Sequence, residues 1–582
     1  MKGSAEVDKI PSKLHVAIAL FLTIGFMTTF FVLDSYSYEV NDDMAITALL
    51  KGLFGITPSS EGIFISPFLG SLLLASYKLF PAVSWFSLLL YIGLALAFFL
   101  GSLTILMTIR ALGGQIAGLL GVASFLCVTA FEINFAAVTL LLWVTGCVFL
   151  SLSIRRNMPV NIWFWLASSH LAGAYLLRPS LLSIMIILAV PLFFALFLVG
   201  DRKRAIWVFS PLIVVLCLSL FSGIANREGG AYSDYLEFNK VRSDFLDTSQ
   251  GNITPETTQA LSAAGWSYED YLVSRNVWFH DDSYFNTDKI KKFLRENAKK
   301  TTMFNIDDVR NGFINYKILW ISISLWLLVF LLEKSFVEIK KIRKTDLFIF
   351  LFLLFFVILL MGIRFPQRVA VPCLLMLFLN LIFLFEDLRD NNLFIFKIVP
   401  PLVFIVFLIY SFHPYINEEI EYIQKLKNHK TYVDQSLNNV LQENGSDTII
   451  VDVTPHVMAN NYFPFHEDDV ILKQRILPGG WLVGSPAYLD FLKKEGLGDR
   501  STVVSMMIDN RRMVLRFCDS RQLPYSVYLK NVFLRHLRQR YTVPGSDRTI
   551  DLKILADHRQ GDNRLIYLHL VTVPSNPVVT LP

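Results

Sequence analysis

The sequence predicts a polytopic α-helical membrane protein that ends in a soluble α/β domain. Three observations predict it. Of 582 residues, 54% are hydrophobic and only 17% charged, a balance typical of membrane chains. Long apolar stretches recur between Leu14 and Ser411, each close to the roughly 20 residues that a helix needs to cross about 30 Å of hydrocarbon. From His413 onwards these stretches give way to short β-like runs, Thr448–Asp452 and Ser501–Ser505, alternating with helix-like ones such as Ala487–Glu495.

The rest of the composition narrows the class. The 49 phenylalanines suit lipid contact, and the net charge of +5 is modest. Basic residues cluster in short loops, a pattern that sets membrane orientation and gives no argument for a nucleic-acid partner. The five cysteines are scattered without metal or redox spacing. The first apolar run has no small-residue cleavage site and reads as a retained helix.

The elements follow in order. Lys2, Lys9 and Lys13 place the N-terminus in the cytoplasm by the positive-inside rule. The span Leu14–Leu33 then delivers an acidic stretch, Asp34-Ser-Tyr-Ser-Tyr-Glu39-Val-Asn41-Asp42-Asp43, to the outer face. Met44–Phe54 reads as a helix ended by Gly55. Phe64–Phe80, interrupted by Pro67, Gly70 and Lys78, reads as a helix lying along the surface. With it outside the bilayer, Arg110, Arg155-Arg156, Arg202-Lys203-Arg204 and the run Lys340–Lys344 all become cytoplasmic.

The further spans are Val83–Ile109, Ala111–Phe131, Ile133–Ile154, Ile162–Leu177, Leu181–Val199, Ala205–Ile224, Tyr316–Leu332, Leu347–Met361, Val369–Phe385 and Leu393–Ser411. This makes about eleven transmembrane helices. Residues 1–411 thus form a membrane domain, with a first external loop at 34–82 and a large polar and aromatic external loop at 226–315. Residues 412–582 form the external, or periplasmic, soluble domain. The expected location is an inner, plasma membrane. No internal repeat is visible, which weighs against transporter folds built from inverted repeats.

Charge next to hydrocarbon is costly and is usually kept there for function. Asp42 and Asp43 therefore stand out, with two readings. Asn41 or Asp42 caps the following helix, with Asp43 in its first turn against the positive end of the dipole. Alternatively one of the pair is a catalytic base. Both readings can hold together.

The layout of one span, an acidic first external loop, a surface helix with a proline, a cleaner second span, many helices and an external tail resembles the GT-C glycosyltransferase superfamily. Within it, the branch of protein mannosyltransferases and lipid A aminoarabinose transferases is the most similar. The residues that carry this resemblance are Asp42-Asp43-Met44 and the stretch Ser66-Pro67-Phe-Leu-Gly-Ser-Leu-Leu-Leu-Ala-Ser-Tyr77-Lys-Leu-Phe-Pro81. It covers roughly Leu14 to Pro211, and the tail contributes nothing to it. The resemblance implies that an acid at Asp42 is catalytic or orients the substrate. It also implies a second acid in the next external loop, where Phe131-Glu132-Ile133-Asn134 forms the expected turn. Glu132 is the only charge between Arg110 and Arg155; an acid touching interfacial water is the plainer reading of it.

A polyprenyl phosphate leaving group needs cations at the outer surface. Arg178, Arg364 and Arg368 all fall at external helix ends, the side poorer in basic residues, so orientation does not explain them; interfacial anchoring is the alternative. Arg178 also resembles a basic residue that follows a glycine-rich span in the family. His280 and Asp282 are weak candidates for a divalent cation, and a solvated loop is the plainer reading of them. No cofactor is required.

Taken together, the sequence points to transfer of a sugar from a polyprenyl-phosphate-linked donor to a glycan, lipid or protein acceptor on the external face, with inversion. The alternatives are a surface-polysaccharide polymerase or ligase, an exporter of lipid-linked glycans, and a non-catalytic assembly protein working through its tail.

Overall fold

The computed structural model describes residues 10–574 except for 35, 40, 63, 110–111, 200–201, 227–229, 249–254, 298–305, 318, 322, 325–343, 364–365, 385–393, 446, 454–462, 467–473, 520–525, 543–547 and 561–562. It is a mostly helical membrane protein with a C-terminal sheet. The chain begins with α1 (Lys13–Leu33), capped by Ser12, whose hydroxyl accepts from the His15 N–H at 3.1 Å. Short strand β1 (Ser37–Tyr38) leads into α2 (Asn41–Lys51) and then α3 (Pro67–Leu79). The apolar helices α4 (Trp85–Thr108) and α5 (Leu112–Phe131) follow, then strand β2 (Glu132–Ile133), α6 (Phe135–Arg155) and α7 (Ile162–Leu177).

Among the described residues six helices are long and apolar enough to cross a membrane, at Lys13–Leu33, Trp85–Thr108, Leu112–Phe131, Phe135–Arg155, Lys203–Phe221 and Lys344–Gly362. A seventh span arises if the pair Ile162–Leu177 and Pro179–Leu188, bent by 109°, counts as one. The described residues thus support the membrane class but do not by themselves supply about eleven spans. Leu181–Val199 is not one rod but two short helices, α8 (Leu182–Leu188) and α9 (Val190–Val199). Pro179 starts the turn that breaks the chain after α7, because proline disfavours helical geometry in the residue before it. Val369–Phe385 corresponds to a shorter apolar helix, Gln367–Phe383. Much of Tyr316–Leu332 and the start of Leu393–Ser411 lie outside the described residues.

The bundle is organised round α6, whose apolar window is wholly buried. Its two ends are fixed by polar contacts. Asn134 caps its N-terminus, accepting from Ala136 and Ala137 N–H at 2.8 and 3.3 Å. At its other end Arg155 pairs with the buried Asp346 at 2.7 Å, tying it to the helix Lys344–Ile363. Small residues let the neighbours approach, as expected where lipid removes the hydrophobic drive between helices. A Cβ at Gly121 would stand 2.3 Å from the Phe378 ring, and one at Gly93 would stand 2.7 Å from Val138.

After α10 (Arg202–Asn226) the large loop folds into α11 (Gly230–Thr248), α12 (Pro255–Ala264), α13 (Tyr268–Arg275), α14 (Thr287–Asn297) and α15 (Ile306–Asn315). Its aromatic residues, Trp266, Trp278, Phe279 and Phe293 among them, share one hydrophobic core with the tail. Full burial of each such side chain contributes about 1.5–3 kcal/mol. The tail carries a five-stranded sheet of order β4-β3-β5-β7-β6, built from β3 (Ile449–Asp452), β4 (Ile476–Leu477), β5 (Met513–Asp519), β6 (Arg548–Gln560) and β7 (Asn563–Pro574). The first three pair in parallel and the last two add antiparallel. The expected helix Ala487–Glu495 is present as Pro486–Glu495, between a Ser485 cap and Gly496.

One expectation in the tail is corrected. Ser501–Ser505 is not a strand: Asp499 accepts from the N–H groups of Ser501 and Thr502 at 2.9 and 3.1 Å, turning the chain just before the helix Val503–Met507. One helix, Phe394–Asn444, runs across residues 411–412.

Loop and tail are also joined by charge. Asp270, fully buried, receives His536 Nδ1 at 2.7 Å and the Arg540 guanidinium. It doubles as the third helical residue of a capping box with Ser267. Inside the sheet Arg516, also fully buried, meets Asp452 through two bonds of 2.5 and 2.9 Å. Removing one partner of such a pair costs about 3–5 kcal/mol. Asp452→Ala should therefore unfold the tail at markedly lower denaturant than the wild type, read by limited proteolysis of the purified protein. Unchanged resistance would show that the pair does not hold the sheet.

Candidate active site

The site is assembled from the loop after α1 and the short turn before α6. Helix α1 ends at Asp34, in the left-handed region at φ 46°. The Lys427 ammonium holds its carboxylate at 2.5 Å. Beyond it β1 pairs in parallel with β2, Ser37 opposite Glu132 and Tyr38 opposite Ile133. The Glu39 N–H extends the pairing to Ile133 O at 3.1 Å. The expected turn at 131–134 is thus a strand that carries the second acid into the first loop.

Helix α2 starts at once, with Asp42 and Asp43 in its first turn. Asp43 is fully buried. One of its oxygens accepts the Phe135 N–H at 2.9 Å and the other the Asn134 side-chain amide at 3.1 Å. It therefore lies at the positive ends of two helices, its own and α6. Burial holds its carboxyl well above the usual range, against the lowering effect of the Phe135 bond; Asp42 and Glu39 push it up further and Arg178 opposes them. Asp42 keeps 8% of its surface exposed.

Two half-buried acids complete the negative side. Burial pushes Glu39 up to about 7, with Arg368 and Arg178 pulling it down and Asp42 raising it. Burial pushes Glu132 up to about 8, helped by Glu419 and Glu39. Glu419 lies on the helix Phe394–Asn444 and hydrogen-bonds Tyr415.

Arg178 stands at the C-terminal end of α7, at the bend. Its guanidinium lies over the Phe135 ring at 4.6 Å and the Phe64 ring at 5.6 Å. The bond from Ser66 N–H to Leu176 O, 2.9 Å, brings the start of α3 to this point. Arg368 sits in the first turn of the helix Gln367–Leu384. Of the acids and cations expected from the sequence, Asp42, Asp43, Glu132, Arg178 and Arg368 share one electrostatic neighbourhood through Glu39. Arg364 lies outside the described residues.

His280 and Asp282 are elsewhere. The loop that carries them is not solvated: His280 is 1% exposed, and its Nδ1 lies 2.8 Å from the Tyr488 hydroxyl in the core shared with the tail. Burial pushes it down to about 3. Among the described residues no three His, Cys, Asp or Glu side chains gather to hold a metal ion.

Asn134, Phe64 and Phe135 are site residues that reading for acids and arginines misses, and Glu39 is visible there only as one member of the acidic stretch. Asn134 had a signal, an N-cap residue directly before an apolar run. Phe64 and Phe135 had none, since ring contacts leave no periodicity. Chemically, carboxyls raised towards neutrality can exchange protons near pH 7. Cations seated on aromatic rings beside them can receive an anion.

Comparison with protein families, curated proteins and solved structures finds no match to this chain.

The raised acids make stability depend on pH. In the unfolded chain Glu39 and Glu132 ionise near 4.5, whereas in the fold they hold their protons to about 7 and about 8. Between those limits the folded state binds more protons, so stability falls as pH rises. The apparent Tm of the detergent-solubilised protein should drop from pH 4.5 towards pH 8, and Glu39→Gln with Glu132→Gln should flatten that slope. An unchanged slope in the double variant would assign it to other groups.

Proposed function

We propose that the chain is an inverting membrane glycosyltransferase that uses a polyprenyl-phosphate-linked sugar. The observation that carries the reading is the joining of the two acidic loops by the β1–β2 pairing and the Asp43 bonds, beside Arg178. Acids that can take a proton and cations that can take a phosphate are what a single displacement at a glycosyl phosphate requires. The acceptor hydroxyl oxygen attacks the anomeric carbon. The bond from that carbon to the phosphate oxygen breaks, and its electron pair leaves with the polyprenyl phosphate. The hydroxyl proton passes to Asp42, and the sugar is inverted.

Asp43 has a different part. Both its oxygens are engaged in fixing α2 to the start of α6, so it holds Asp42 in place and orients the acceptor. Arg178 and Arg368 receive the phosphate. Arg364, next to Arg368 in sequence, is assigned to the same task from the sequence alone. The large loop and tail lie over the mouth on the external side, the N-terminus is cytoplasmic, and the membrane is the inner, plasma membrane. The full count of about eleven spans belongs to this reading.

Sidedness is directly testable. Single cysteines introduced at Glu132 or in the tail should label from outside the cell, and cysteines at Arg155 or Lys203 should not. Labelling at Arg155 without labelling at Glu132 would reverse the topology and remove the mechanism.

The two aspartates should separate on amidation. Asp42→Asn should fold normally and lose transfer of a lipid-linked sugar by about 10²–10⁴-fold, about 3–5 kcal/mol of barrier. Asp43→Asn sets its new amide nitrogen against the Asn134 amide, two donors face to face where a carboxylate had accepted. It should lower the Tm as well as transfer. Full transfer by a folded Asp42→Asn protein would sink the assignment of the base.

A further inference from the structure

We infer that Trp481, on the external tail, is a positioning residue for Arg178, so that the tail completes the phosphate seat of the membrane site. The inference deepens the transferase reading and rests on it for the identity of the anion, a polyprenyl phosphate.

The contacts run without a gap from tail to acid. Trp481 sits in the short 3-10 turn Gly480–Leu482, where Gly480 has φ 59°. This is a left-handed conformation that glycine adopts without a steric cost. The indole stands edge-to-face on Phe64, with centroids 5.6 Å apart and planes at 85°. Phe64 in turn lies under the Arg178 guanidinium, and the other ring beneath that cation, Phe135, donates its N–H to Asp43. Trp481 touches neither Arg178 nor Asp43 in this chain of contacts; it acts through the ring of Phe64.

Both ends of the Phe64–Trp481 contact are fixed by α11. Tyr232 donates to Gly62 O at 3.1 Å, holding the stretch before Phe64. Tyr235 donates to Trp481 O at 2.8 Å. The fully buried Arg242 donates to Gly480 O at 2.7 Å and Trp481 O at 3.0 Å, and its guanidinium lies 4.9 Å from the indole centre. Three hydrogen bonds from two side chains of one helix anchor the turn and hold the indole still. Arg242 fixes both its backbone and its face, and the ring edge meets Phe64. An aromatic ring held on both sides keeps its face in one orientation, and a cation–π seat depends on that orientation.

The test is binding of undecaprenyl monophosphate to the purified full chain in detergent, with undecaprenol as the control that lacks the phosphate. Trp481→Ala should weaken the phosphate form about tenfold, the scale of one cation–π contact, and leave undecaprenol binding unchanged. Trp481→Phe should restore most of the loss, because a ring edge is again offered to Phe64. Phe64→Leu should cost about as much, and the double variant little more than either, since the two act in series. A merely structural role for Trp481 would lower the Tm and weaken both lipids alike. If Trp481→Ala does not purify, Trp481→Leu keeps the apolar volume without the ring and carries the same expectation. If the wild type shows no preference for the phosphate over the prenol, the transferase reading itself fails. If the wild type prefers the phosphate, Arg178→Ala loses that preference and Trp481→Ala keeps it, the present inference alone is overturned.

Discussion

The candidate site depends on one buried carboxyl group. Asp43 has no exposed surface, and a charge or polar group placed there must be hydrogen-bonded. Both of its donors come from the two residues that open α6, the most deeply buried helix of the bundle. The loop after α1 is therefore docked on the core of the helix bundle. The β1–β2 pairing follows from the same docking, and with it the arrival of Glu132 beside Glu39. A loop that would otherwise be mobile gains the fixed geometry that acid–base chemistry needs.

Helix α2 extends that constraint outward because it belongs to two cores at once. Ile46 and Leu50 pack with the membrane bundle, whereas Ala48, Leu49 and Leu53 pack with the large loop and the sheet of the tail. The helix stops at Gly52, where φ is 73° and a Cβ would stand 2.6 Å from Pro58. The chain then turns into the core shared by the large loop and the tail through Phe54 and Ile56. A single eleven-residue helix with acids in its first turn thus links the bundle to the tail. Lys427 repeats the linkage on the other side, from the helix Phe394–Asn444 to Asp34.

How much of this the sequence discloses depends on the kind of signal. Hydropathy discloses the membrane class and most long helices, because an apolar run of sufficient length has few alternatives. The same signal misleads within Leu181–Val199, which reads as one span but forms two short helices. Acids at the membrane edge are legible because their cost makes them rare. Their partners are not. Glu39 meets Ile133 through a strand of two residues, too short for any alternation, and Trp481 meets Phe64 across most of the chain. The run Ser501–Ser505 has β-like composition, yet the Asp499 side chain binds the N–H groups of Ser501 and Thr502 in a turn and a helix follows; local hydrogen bonding outweighs propensity.

The electrostatics of the site follow from where it sits. Carboxyls at Glu39 and Glu132 are raised chiefly because burial penalises their charged forms, not because they repel each other. The arginines oppose this only in part, and Arg178 spends its planar faces on Phe64 and Phe135. A guanidinium stacked on rings keeps its in-plane N–H groups directed outward from the stack. Phe135 serves both signs at once: its ring supports Arg178 while its N–H holds Asp43.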